Sequence, residues 1–546
     1  MPLHDFILRK PEADFDCNIV YNYQNILREP EMKKVLFIIT LIIFCIGLGC
    51  FPFRTPDNDL WARLIAGRYI FEHFTVLKND FLSYTPVHPW YDHEWGASVI
   101  FYAVFKYFGE SGLIILKGIL SALAVFFCFK TVEIRKPESS HPYNIFYYAF
   151  MFWCVLITLG AMIRCLMFTC VFFAVFVYIL ERYRKKGGKC LLWLPFLMLL
   201  WCNIHGGCIS GLGLLGIYAA GEFLNKKPVK PYLLTLLACL AVLFINPYGI
   251  EYVKFLFFAA SMERNFISEW ISPFHKGFLN QFIRYKFYLI LMIAVQLIYI
   301  IKNKINYEKL DKTKMLVLLC MAYLSITHTR HIPFFVFTAG TMLYDEFYNV
   351  FNAVINKIKP KNEEFNKSFI LLKEICVYFL LIILTLPVIL DTEKKIRITE
   401  TAYPRFAVEF IKINKITGNL FINFDWGSYA AYKLYPDNLI VMDGRYEEVY
   451  PPELLLELKN FHLLKNDWYK VIRDYKTDVM ILEKKYPVYN VMLKHPDWVC
   501  VFENNKSGVF VPKDKVKDKY VYPIPEDDYY NNSLFDTNIV FPENNG

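Results

Sequence analysis

VLFIITLIIFCIGLGCFPF (Val35–Phe53) runs straight into RTPDNDLWARLIAGRYIFEH (Arg54–His73), and the reading of that junction decides the fold. The first string is uncharged and close to the ~20 residues that an α-helix needs to cross a hydrocarbon core about 30 Å thick. The second opens with two aspartates, Asp57 and Asp59, where such a helix would meet water. Comparable apolar runs recur at Gly112–Phe129, Asn144–Leu159, Cys165–Leu180, Leu191–Cys202, Cys208–Ala220, Pro231–Ile245, Phe287–Ile301, Met315–Thr327, Ile332–Tyr344 and Ile375–Leu390. The expected fold is an α-helical polytopic membrane protein of about eleven spans in residues 35–390. It follows an N-terminal segment, 1–34, that lacks a small-residue cleavage site and is read as cytoplasmic.

Composition agrees. Hydrophobic residues make up 55% of the 546 and charged ones 20%, against about 45–50% and 25% in soluble globular domains. This excludes a soluble single-domain enzyme, a disordered chain and a disulfide-stapled secreted module. The net charge of +9 resides in loops between apolar runs, so it is read as topological charge, and no nucleic acid partner is expected. Most of the 14 cysteines lie inside the apolar runs, and no CxxC occurs.

Loop charge sets the orientation. Lys and Arg cluster from Lys130, Glu181, Asn225, Lys302 and Asn356, each separated from the next by an even number of crossings, which puts these loops in the cytoplasm. The large loop 54–111 and the turns at Gly160–Arg164, Asn203–Gly207, Asn246–Lys286 and His328–His331 then face outward, with everything after Leu390. EWGASVIFYAVFKYF (Glu94–Phe108) would invert this pattern as a full crossing, so it is read as a helix in the outer interface. From 391 to 515 short β-rich strings alternate with helix-like ones, which predicts a C-terminal extracytoplasmic α/β domain able to bury its own apolar faces. Residues 516–546 read as an irregular tail.

Most polar groups able to carry chemistry fall in the outward segments. Asp57 and Asp59 could take a proton from an attacking hydroxyl, and capping a helix that begins near Leu60 explains them equally well. Asp80, His93 and Glu94 are candidate substrate contacts that a turn would also favour. Arg164, and Lys117 inside the second span, could hold a phosphate or diphosphate, while Lys117 also suits snorkelling to headgroups. WCNIHGG (Trp201–Gly207) interrupts an apolar hairpin. A tight turn accounts for Asn203 and the glycines but less well for His205, and irregular backbone at that depth suits a wet cavity. HTRHIP (His328–Pro333) sets Arg330 beside His331. Glu269, in SEWISP, reads as a solvated loop acid. No set of His, Cys and acidic residues has metal-site spacing, and no Walker loop or GxGxxG occurs. No cofactor is called for, and the need for a divalent cation stays open.

The strings DNDLWARLIAGRYI, KNDFLSYT and PWYDHEW in the first loop, then WCNIHGG, INPYG, SEWISP and TRHIP, then FINFDWGSYAAYKLYP and VMDGRYEEVYPPEL, together cover most of Val35 to Val511. Through them the chain resembles the polytopic membrane glycosyltransferases of the GT-C superfamily that use polyprenyl-phosphate-linked sugars. The resemblance implies that an acid of the first outer loop, here Asp57 or Asp59, is the catalytic base. It implies a sugar donor carried on a polyprenyl phosphate and a glycan, lipid or protein acceptor arriving from outside. The Asp-Glu pair of the protein mannosyl- and aminoarabinose-transferase branches is absent.

The expectation is a multi-pass glycosyltransferase of the cytoplasmic (inner) membrane, serving the cell envelope, in contact with membrane lipids and its lipid-linked donor. The alternative is a non-enzymatic assembly or export factor for envelope glycans, whose tail domain binds a partner.

Overall fold

Wherever the computed structural model describes an apolar run of the sequence, that run is a helix. The described residues are 34–46 in part, 55–135, 145–155, 162–262, 264, 267–358, 396, 398–523 and 539–542. The N-terminal segment up to residue 33, the outer end of the first span and the span Ile375–Leu390 lie outside them. A two-residue strand, β1 (Thr55–Pro56), opens the outer loop and is followed by α1 (Leu60–His73) and α2 (Trp95–Arg135). The bundle continues with α3 (Ile145–Val155), strand β2 (Met162–Ile163), α4 (Leu166–Lys186), α5 (Trp193–Ile204), α6 (Ile209–Leu224) and α7 (Lys230–Val242). It closes with α8 (Ile250–Ser261), α9 (Ile283–Lys302), α10 (Lys312–Thr327), α11 (Ile332–Met342) and α12 (Tyr344–Ile358).

Among the described residues four stretches are long and apolar enough to cross a membrane: α2, α4, Gly206–Leu224 and α9. Helices α5, α7 and α11 hold 12, 13 and 11 residues, a rise of about 16–20 Å against a core of about 30 Å. Helix length thus supports four full crossings, short of the eleven expected. Within α2 the backbone breaks at Gly109 (φ 61°, ψ −158°), a conformation open to glycine at little cost. The break divides the string read as interfacial from the apolar run Gly112–Phe129.

Helix α4 runs from the Arg164 turn at one end of the bundle to a buried charge network at the other. There Glu181 pairs with Arg135 and with Arg184 (3.1 Å), while Arg184 reaches Glu222 (2.7 Å) and Asp311 (2.8 Å). Lys314 pairs with Glu346. The basic loops that begin at Lys130, Glu181, Asn225 and Lys302 therefore meet at one end, as their charge predicted. Such a network tolerates burial only when every member is partnered.

The C-terminal domain is α/β. Its sheet has the order β4-β3-β5-β7-β6, from β3 (Gly418–Ile422), β4 (Asn438–Ile440), β5 (Val479–Glu483), β6 (Trp498–Glu503) and β7 (Ser507–Pro512). β4, β3 and β5 are parallel, whereas β7 and β6 are antiparallel. Helices α13 (Arg405–Ile413), α14 (Gly427–Leu434) and α15 (Pro452–Leu463) pack with it. The described residues of 516–546 carry no helix or strand.

This domain does not bury its own faces alone. The outer loop adds to the β4 edge: Ile440 N donates to Leu82 O (2.9 Å) and Tyr84 N to Ile440 O (3.1 Å). The Thr85 hydroxyl donates to Val441 O (2.7 Å). Trp61 of α1 is fully buried against Tyr403, Tyr429 and Tyr432. Arg445, 1% exposed, binds Asp80 of the loop and Asp443 beside it (2.9 Å) and stacks over Trp90. The outer loop and α1 thus contribute a backbone bridge and two buried tryptophans, Trp61 and Trp90, so residues 391–515 do not cover their apolar faces alone, contrary to expectation.

Candidate functional site

The site begins with the pairing of β1 and β2. These strands are parallel, with Thr55 opposite Met162 and Pro56 opposite Ile163, so the residues that follow them, Asp57 and Arg164, emerge side by side. Arg164 Nε lies 3.6 Å from Asp57 Oδ2, and its other arm binds Glu269. Glu269 sits on the short turn Ser268–Trp270, and its carbonyl accepts the Thr329 hydroxyl (3.1 Å) from the Arg330 turn. The acid expected to be solvated thus faces a cavity, because a guanidinium 105 positions away in the sequence comes to meet it. Asp59 precedes α1 without a side-chain capping bond; instead its N–H donates to Asp57 (3.2 Å).

The cavity encloses about 240 Å³. Asp57, Asp59, Glu94, Glu269, Glu447 and Glu448 line it against Arg63, Arg164 and Arg330. Burial raises the pKa of both aspartates: Arg164 pulls Asp57 back, whereas Asp57 and Glu94 push Asp59 further, well above the ordinary range.

Deeper in the wall, Arg63 binds Asp92, Glu448 (3.1 Å) and Glu94 (3.4 Å). His205 Nδ1 accepts the Gly207 N–H (2.9 Å), which leaves its proton on Nε2, 3.0 Å from Glu94. Burial holds His205 below its ordinary pKa and hence neutral. Burial opposes the charge of His93, but Glu448 (3.0 Å), Glu94 and Glu447 raise it to about 9. Burial likewise opposes ionisation of Glu94 and Glu448. Arg63 and the two histidines outweigh it at Glu94, which falls well below its ordinary range, and Arg63 and His93 bring Glu448 to about 2.

His93, Glu94 and Glu448 each bring a ligand atom within 4.8 Å of the others. Two carboxylates and an imidazole suit a divalent cation, and binding one requires release of the His93 proton.

Glu447 and Glu448 belong to the C-terminal domain, on the segment after β4 that also carries Gly444 and Tyr446 into the cavity. Sequence reasoning missed this contribution, and it missed Arg63. The available signal was the charged run DGRYEE inside a β-rich domain. A Cβ on Gly444 would stand 1.7 Å from Asp59 Oδ1. Gly444→Ala is therefore expected to cost about 1–3 kcal/mol through forced displacement, read as a lower melting temperature in detergent. Gly213→Ala, where added bulk meets open space, should leave it unchanged.

An apolar cavity of about 360 Å³ adjoins the first, lined by α6, α8 and α11 through residues such as Leu214, Phe255 and Phe334. His93, His205, Trp270, Arg330 and Glu447 line both. At this junction the Trp270 ring lies between two guanidiniums, Arg264 and Arg330, each 4.5 Å from its centroid. Arg264 is committed to Glu447 (2.6 Å) and the Tyr446 hydroxyl (2.9 Å). Arg330 has no carboxylate within salt-bridge distance among the described residues.

Of the predicted residues, Asp57, Asp59, His93, Glu94, Arg164, His205, Glu269 and Arg330 come together in the polar cavity, and His331 lines the apolar one. Three do not join them. Lys117 is 1% exposed within α2 and lines neither cavity. Asp80 is taken up by Arg445. Asn203, in the last turn of α5, donates to Leu199 O of the same helix and to Ile245 O just beyond α7 (both 2.9 Å).

No family model matches the chain, and no curated protein matches it. Among solved structures it is similar to the archaeal oligosaccharyltransferase AglB from Archaeoglobus fulgidus, in complex with an inhibitory peptide and a dolichol-phosphate. The identity is 12% and the TM-score 0.52, over 83% of this chain and 69% of that one. At this identity the likeness is one of fold, and the fold is GT-C-like.

Proposed function

We propose that the protein is an integral membrane glycosyltransferase that moves a sugar from a polyprenyl-phosphate-linked donor to an extracytoplasmic hydroxyl. The observation that carries this reading is Arg330, a guanidinium that makes no salt bridge among the described residues, at the seam of a polar and an apolar cavity. A lipid-linked phosphate needs that combination: an apolar groove for the chain, a cation for the phosphate, and acids beyond it for the sugar and acceptor. The dolichol-phosphate and peptide bound to AglB support a lipid-linked donor and a separate acceptor. In this reading the cavity end faces outward and the basic loops face the cytoplasm.

Asp57 takes the proton of the acceptor hydroxyl. The freed oxygen attacks the anomeric carbon as the bond to the phosphate oxygen breaks, and the phosphate leaves with the electron pair toward Arg330. Arg164 and Glu269 fix the orientation of Asp57. Asp59, more strongly driven to hold a proton, donates a hydrogen bond within the site. A divalent cation held by His93, Glu94 and Glu448 would, when bound, add positive charge beside the sugar phosphate.

The test is Arg330→Ala, assayed with a defined polyprenyl-phosphate sugar in detergent. Loss of a charge-assisted contact of about 1.5–3 kcal/mol should lower kcat/KM for the donor roughly 10–100-fold, through kcat as well as KM because charge develops on the leaving phosphate. Arg330→Lys should recover part of the loss. An unchanged kcat/KM in the alanine variant overturns the assignment of Arg330 to the phosphate.

A further inference from the structure

Residues 539–542 return to the outer loop, although sequence reading placed them in an irregular tail. Ile539 is 4% exposed within the apolar core. The Phe541 ring makes edge contacts with Tyr69 (5.2 Å), His73 (5.6 Å) and Phe81 (5.9 Å), and the Arg68 guanidinium lies 5.5 Å from its centroid. The slot walls are also held by contacts of their own. Tyr69 stacks on His73 at 4.4 Å, and His73 Nδ1 bonds the Tyr69 carbonyl (2.9 Å). Phe81 rests in turn on Tyr435 of the C-terminal domain (5.2 Å). Phe541 therefore sits where α1, the outer loop and the C-terminal domain meet.

We propose that Ile539–Pro542 is a latch: a short peptide ligand, tethered in cis, that closes this three-way seam and thereby holds the polar cavity in shape. Arg68, Tyr69 and His73 lie on the C-terminal half of α1, and the N-terminal end of the same helix carries Asp59 and Arg63 into the cavity. Arg63 binds Glu448 of the C-terminal domain, so the seam under the latch and the cavity wall share one rigid helix. The contact is small, a single aromatic anchor and one aliphatic residue. A free peptide of this kind would bind weakly, but a short tether supplies an effective concentration of order millimolar. The slot is thus filled in cis and open to competition by an extended peptide with an aromatic between an aliphatic residue and a proline. This inference does not rest on the transferase reading.

The experiment is hydrogen exchange on the full chain in detergent, followed for peptides covering residues 60–74 and 80–85. Phe541→Ala should raise exchange in the second half of α1 about tenfold. Adding the peptide DTNIVFPEN at millimolar concentration should restore protection, and the same peptide with alanine for phenylalanine should not. Unchanged exchange in Phe541→Ala, or equal effects of the two peptides, overturns the latch. Because exchange is read without substrate, failure of sugar transfer leaves this result standing, and the converse also holds.

Discussion

Asp57→Asn is expected to lower transfer by about 10²–10⁴-fold, the usual cost of losing a general base, while the protein reaches the membrane at normal levels. The amide keeps the size of the side chain and still accepts the Asp59 N–H, so the turn into α1 survives. What disappears is the proton acceptor and the partner of Arg164. Asp59→Asn should cost less, because that group is held protonated and an amide can donate in its place. The pH profile supplies an independent check with a defined sign. Burial raises the Asp57 pKa, so the base is ionised only above an elevated value. Turnover should therefore rise with pH through that value and fall on acidification, and the rising limb should be absent from the residual activity of Asp57→Asn. Full activity in both asparagine variants would end the base assignment and move the search to another carboxylate of the cavity, such as Glu94.

Arg445→Met should be the most damaging substitution for stability. The arginine is 1% exposed and bound to Asp80 and Asp443, whose side chains are themselves fully buried. Removing the cation leaves two carboxylates with no compensating charge, and breaking a buried pair in this way costs about 3–5 kcal/mol. The expected result is a large fall in melting temperature in detergent, or failure to accumulate in the membrane. Adding Asp80→Asn and Asp443→Asn should restore part of the loss, since the penalty lies in the orphaned charges. A melting temperature unaffected by Arg445→Met would show that the bridge contributes nothing net.

Much of the bundle was readable because hydrophobic runs need only local sequence to become helices. Even the break at Gly109 fell beside a string whose charge pattern had set it apart. Individual site residues were readable by type, such as an aspartate after a span or an arginine in a short turn. Their partnerships were not. Asp57 meets Arg164 through two paired strands of two residues each, too short to leave a periodic signal. Glu269 seemed solvated because nothing near it in sequence carries its counter-charge. Lys117 seemed available because a cation in a span suggests a ligand, whereas its side chain is packed inside the bundle. Glu447 and Glu448 reach the cavity through the docking of a whole domain, and only tertiary structure records that.

The bridge that Leu82–Tyr84 makes to the edge of β4 bears on how the molecule is made. Thr85 and its partner Val441 are 356 residues apart, and at about 5–20 residues per second a ribosome needs roughly 20–70 s to travel between them. Throughout that interval the nascent outer loop has left the ribosome with its partner edge unwritten and the cavity wall missing two carboxylates. A chain halted anywhere before the C-terminal domain therefore lacks that side of the cavity, which forms only once residues 424–448 have been made.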